Sequence, residues 1–128
     1  MMKVQDRLLK YVAYWTTSDE SGSVIPSSER EFALGRELKQ ELEDLGLSRV
    51  ILTDHCYVYG LLPATSGMED WKAIGFIAHM DVVDEVPFSG IKPRVVDYQG
   101  GDIVLNEELG IVLSPKDFPE MADCIGKH

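Results

Sequence analysis

Cysteine is scarce in this sequence: two in 128 residues, Cys56 and Cys124, too far apart to make a C-x-x-C pair. That excludes a disulfide-dense secreted scaffold, and a zinc–cysteine site would need more ligands. Reduced, buried thiols in a cytosolic protein are the expectation. Positive charge is also short, with 12 Lys and Arg against 22 Asp and Glu and a formal net charge of −10. Such a field repels a phosphate backbone, so no nucleic-acid partner is expected, and an anionic membrane is disfavoured for the same reason. Long hydrophobic runs are missing as well. The longest, Ala73 to Ala78, is far too short to span a bilayer, and Met1-Met2-Lys3-Val4-Gln5-Asp6-Arg7 leads into no apolar stretch of signal-peptide length. A cytoplasmic protein without membrane association is expected. No internal repeat and no low-complexity tract is visible.

What is present is ordinary for a globular domain: 45% hydrophobic and 27% charged residues, with 11 Gly and 6 Pro. Residues 1–128 read as a single domain, long enough to bury a core without help from a metal or disulfide. Val4, Leu8, Tyr11, Val12 and Trp15 recur at three- and four-residue intervals, one face of a helix. Thr16 to Ser28 is a polar loop. Ser28 and Glu31 have the spacing of a capping box, and the helix they open runs through Leu34, Leu38, Leu42 and Leu45. Gly46 is placed to close it in the left-handed conformation. The charges Arg36, Glu37, Lys39, Glu41 and Glu43 lie mostly off that stripe and read as a solvated face.

After Gly46 the period changes. Val50-Ile51-Leu52 and Val58-Tyr59-Gly60-Leu61-Leu62 read as two strands with a tight connection. Ala73-Ile74-Gly75-Phe76-Ile77-Ala78 is apolar at every position, the pattern of a central strand covered on both faces in a parallel or mixed sheet. Short runs follow at Arg94-Val95-Val96, Ile103-Val104-Leu105 and Ile111-Val112-Leu113, with a turn at Gly100-Gly101 and a last helical segment stopping near Gly126. The fold class is α/β. The sheet looks incomplete, because little sequence remains downstream to flank a central strand.

Three histidines are available for chemistry: His55, His79 and His128. His128 ends the chain and reads as mobile, and His55 reads as a solvated turn residue. His79 follows directly on the apolar run, at the carboxyl edge of the expected strand, where open α/β sheets bind ligands. Asp81 lies two residues on, so in extended backbone both side chains project the same way. A metal-bound imidazole uses one nitrogen for the metal and donates its other N–H to an acceptor, commonly a carboxylate. On residue types alone, a histidine that ends a strand and an aspartate that opens a turn account for the pair equally well.

The surroundings extend the pattern. Ile74-Gly75-Phe76-Ile77-Ala78-His79-Met80-Asp81-Val82-Val83 resembles the first metal-binding motif of the M20 family of zinc metallopeptidases. Pro26-Ser27-Ser28-Glu29, Gly60-Leu61-Leu62-Pro63-Ala64, Tyr98-Gln99-Gly100-Gly101-Asp102-Ile103 and Val112-Leu113-Ser114-Pro115 resemble its tripeptide-aminopeptidase branch, in order along nearly the whole chain. That branch usually has Thr directly after the Asp, whereas Val82-Val83 is more similar to the deacylase branches. The resemblance implies the N-terminal part of a mixed-sheet catalytic domain with helices packed on the sheet. It implies two zinc ions per complete site, His79 as a ligand of one, Asp81 as the carboxylate that orients it, and short peptides as substrates. The other ligands and the glutamate base belong to later motifs of the family. Glu107-Glu108 falls too early in that order and reads as a surface turn. The expectation is therefore a truncated, inactive portion of a tripeptide-cleaving aminopeptidase, prone to self-association through an exposed sheet edge. Two alternatives stand: a free-standing, non-catalytic binding or interaction domain on the same scaffold, and a fragment of an M20-type deacylase or carboxypeptidase.

Overall fold

A computed structural model describes residues 2–85 and 91–127; the C-terminal His128 lies outside them. The chain forms two compact units, Met1–Lys92 and Pro93–His128. The architecture is mixed α/β, and both sheets are small and antiparallel.

In the first unit, helix α1 (Val4–Tyr11) is followed by helix α2 (Glu31–Asp44) and a hairpin of β1 (Ser48–Leu52) and β2 (Val58–Leu61). Helix α2 packs on both strands of the hairpin. Its close approach is made at Gly35, where an added Cβ would sit 3.1 Å from both Cys56 Sγ and Leu52 Cδ1. At the far end Gly46 takes φ 83, and its N–H bonds to Glu43 O while the Leu47 N–H reaches back to Leu42 O at 3.1 Å. Those two bonds are the Schellman closure that a glycine at this place allows. The expected capping box is half made. The Glu31 carboxylate takes the Ser28 backbone N–H, but the Ser28 hydroxyl accepts Arg30 Nε at 2.9 Å instead of capping the helix. Strands β1 and β2 pair with Ile51 opposite Tyr59 and Leu52 opposite Val58, and a bulge interrupts the register between Ser48 and Ile51.

Two expectations are corrected here. The apolar stripe of α1 does not face a core: Val4 and Leu8 are exposed. The helix docks through the opposite chemistry, with Arg7 and Tyr11 paired to Glu41, Lys10 to Glu37, and the Tyr14 hydroxyl donating to Glu37 Oε2 at 3.0 Å. The charges of α2 at those two positions are therefore a docking surface and not a solvated face. Lys10 and Tyr14 hold the Glu37 carboxyl below its ordinary range, while burial and the Glu41 bond push the Tyr11 hydroxyl up to about 12. The second correction concerns Ala73–Ala78, which forms no strand ladder among the described residues. Ile74, Phe76 and Ile77 are 81%, 94% and 101% exposed. An apolar segment is extended into a covered strand only when flanking strands and helices supply the cover, and neither two-stranded sheet includes it.

In the second unit, strands β3 (Ile103–Asn106) and β4 (Ile111–Leu113) form a hairpin, followed by a 3₁₀ helix at Pro119–Cys124. The short run Arg94-Val95-Val96 forms no strand; the Arg94 side chain donates to Val104 O at 2.6 Å. The turn at Gly100-Gly101 is present, both glycines at positive φ. Tyr98 is buried and straps the unit together. Its hydroxyl donates to Gly101 O at 2.8 Å, its N–H to Lys127 O, and its carbonyl accepts the Gly126 N–H. Ser114 Oγ donates to Asp102 Oδ1 at 2.7 Å, so the two short motifs singled out in this region hold each other.

Candidate metal centre

His79 and Asp81 come together as their spacing requires, with Nδ1 and Oδ1 3.1 Å apart. The segment that carries them is held just beyond Asp81. The Val82 N–H donates to Thr16 O at 3.0 Å, and Val82 O accepts the Ser18 N–H at 3.0 Å and the Ser18 hydroxyl at 3.2 Å. This is an isolated parallel bridge between Thr17 and Val82. His79 and Asp81 sit on a groove of ≈800 Å³ in the first unit, lined also by Ser27, Glu31, Cys56, Tyr57 and Phe76.

An imidazole whose Nδ1 meets a carboxylate keeps Nε2 for a metal ion, the usual arrangement around a metal-bound histidine. The pair thus fits one zinc ligand with its orienting carboxylate. Among the described residues, no group of three or more His, Cys, Asp or Glu side chains gathers that could hold a metal ion. His55 lines the same groove but is exposed, bonded through Nδ1 to Asp54 Oδ1 at 2.9 Å and stacked against Tyr57. Glu107 and Glu108 lie in the β3–β4 turn. Burial raises the pKa of the Cys56 thiol, which makes it a poor nucleophile.

Sequence reasoning missed Glu31 as part of this region. It is buried at the head of α2, and burial raises its carboxyl pKa; the Asp81 charge raises it further, against bonds from Ser28 and Ser27. Its spacing from Ser28 was legible, but that signal says nothing about a neighbour distant in sequence such as Asp81.

No protein-family profile matches the chain. Individual proteins do. Peptidase T of Caldanaerobacter subterraneus subsp. tengcongensis is 47% identical over 128 residues, which is 99% of this chain and 31% of that enzyme. Peptidase T of Clostridium acetobutylicum is 44% identical over 128 residues, 99% of this chain and 31% of its own length. The protein of the same name from Alkaliphilus oremlandii is 40% identical over 129 residues, 99% of this chain and 32% of its own length. The chain matches the N-terminal portion of peptidase T. It spans about a third of the length of these peptidase T relatives, 31% of the first two. The match runs through both structural units, so it takes in the His79–Asp81 segment and the Tyr98–Ser114 region alike. No helix among the described residues is long and apolar enough to cross a membrane.

Proposed function

We propose that the chain is part of the catalytic domain of a cytoplasmic, two-zinc aminopeptidase of the M20 type, which releases the N-terminal residue of short peptides, tripeptides above all. His79 supplies one zinc ligand through Nε2, and Asp81 fixes the ring through Nδ1. The observation that carries this reading is the 3.1 Å contact of those two side chains on the rim of a groove, in a chain similar over 99% of its length to peptidase T. When bound, a zinc pair polarises a scissile carbonyl and lowers the pKa of its water. The residues of this chain bind and orient. Among the described residues no three His, Cys, Asp or Glu side chains gather, and the M20 resemblance assigns the remaining ligands and the general base to later motifs of the family.

Calorimetry and a turnover assay on the 128-residue chain test the one-ligand reading. Zinc at neutral pH is expected to bind weakly, well short of closed four-ligand sites, and His79→Ala is expected to abolish that binding. No tripeptide turnover is expected. Tight one-to-one binding, or turnover that survives removal of contaminating peptidases and vanishes in His79→Ala, would mean that this chain completes a site by itself.

A further inference from the structure

We propose that the loop from Thr16 to Glu31 is a positioning strap for the His79–Asp81 pair, fastened by Ser27 and Glu31. The proposal rests on the reading of His79 as a metal ligand.

The buried side chains of the first unit are unusual in kind. Leu34 and Cys56 are the buried hydrophobic ones, whereas Thr16, Thr17, Ser28 and Glu31 are buried and polar. Burying such groups costs free energy unless each finds a partner, so their bonds mark where the fold is specified. The bonds lead from the head of α2 to the candidate ligand. Glu31 takes the Ser28 backbone N–H, and the Ser27 hydroxyl reaches Glu31 Oε1 at 3.4 Å. The same hydroxyl accepts the Asp19 N–H at 2.9 Å. One residue earlier, Ser18 bonds Val82 O through its N–H and its hydroxyl, and Thr16 O takes the Val82 N–H. The start of the loop is pinned separately: Trp15 Nε1 donates to Thr17 Oγ1 at 2.5 Å, and the Arg30 guanidinium lies 3.9 Å from the Trp15 ring centroid.

Val82 adjoins Asp81, so the bridge fixes the backbone from which the carboxylate projects. Among the described residues the preceding segment 73–78 lies in no strand, so it adds no ladder of its own. An exposed His–Asp contact is worth too little to order itself. Its geometry has to be inherited from the backbone, and the strap is where that backbone is tied.

Zinc titration of the chain, followed on the His79 ring resonances, tests this with Ser27→Ala and Ser27→Thr. Removing the hydroxyl is expected to weaken zinc at His79, by less than the roughly tenfold or more that losing a directly bonded outer partner costs, while the threonine variant binds like the parent. Amide exchange at Ser18 and Val82 is expected to accelerate in the alanine variant alone. Unchanged zinc affinity in Ser27→Ala, with Asp81→Ala still lowering it, would overturn the strap and leave the metal reading intact. If His79→Ala itself leaves zinc binding untouched, the metal reading fails and the strap falls with it. Exchange in the parent serves as a check that needs no variant: the Ser18 and Val82 amides should be protected relative to those of residues 73–78, and equally fast exchange would overturn the proposal.

Discussion

The His79 side chain is 83% exposed and Asp81 44%, so their 3.1 Å contact adds at most about 1 kcal/mol to stability. In the proposed site its value is orientation. Asp81→Ala is expected to weaken zinc binding at His79 by about 10- to 100-fold in calorimetry, with the melting temperature nearly unchanged. A large loss of stability with unaltered zinc affinity would assign the aspartate to the fold instead. A second prediction concerns pH. Glu37 titrates below its ordinary 4.5 in the folded chain, so its pairing with Lys10 is intact above that value and is lost as the pH falls through the lowered one. Tyr11 is raised from 10.0 to about 12, so its contribution is complete below 10 and disappears as the pH rises through about 12. Helix α1 should therefore undock first at both extremes. Amide exchange of Val4–Tyr11 against pH checks this; loss of protection only together with α2 would contradict it. The His79–Asp81 pairing was legible in the sequence because a two-residue spacing in extended backbone fixes it locally. Glu31 was not, since its proximity to Asp81 is made through space.

Elements closed by local chemistry were legible for the same reason. Helix α2, its glycine stop and the first hairpin follow from spacing and turn residues alone, whereas the pairing of β3 with β4 was not read from their two short apolar runs. Gly46→Ala places a Cβ in the left-handed region at φ 83 and should cost about 1–2 kcal/mol, read as a lower melting midpoint; no change would mean that the Schellman closure is not holding the helix end. The facing of α1 was not legible. Periodicity finds a stripe but not the side on which a partner lies, and here Glu37 and Glu41 of α2 draw in Arg7, Lys10 and Tyr11 and leave Val4 and Leu8 in water. Ala73–Ala78 has the composition of a covered strand, but composition cannot supply the cover.

At the scale of the whole molecule the uncovered apolar surface dominates. Ile74, Phe76 and Ile77 are nearly fully exposed, and burying a side chain of this size is worth about 1.5–3 kcal/mol. The chain is expected to self-associate at micromolar concentration, more strongly as salt screens its net charge of −10. Sedimentation checks this, and a monomer at every ionic strength would show that the apolar segment finds cover within the chain. In the proposed enzyme these residues furnish one ligand and its orienting carboxylate to a peptidase centre. That role can be read in a chimera in which this chain replaces the matching stretch of the Caldanaerobacter subterraneus peptidase T. The chimera should release the N-terminal residue of a tripeptide in a zinc-dependent way, with turnover reduced on the order of 100-fold or more by His79→Ala. A folded, zinc-loaded chimera without turnover, or turnover indifferent to His79, would contradict it.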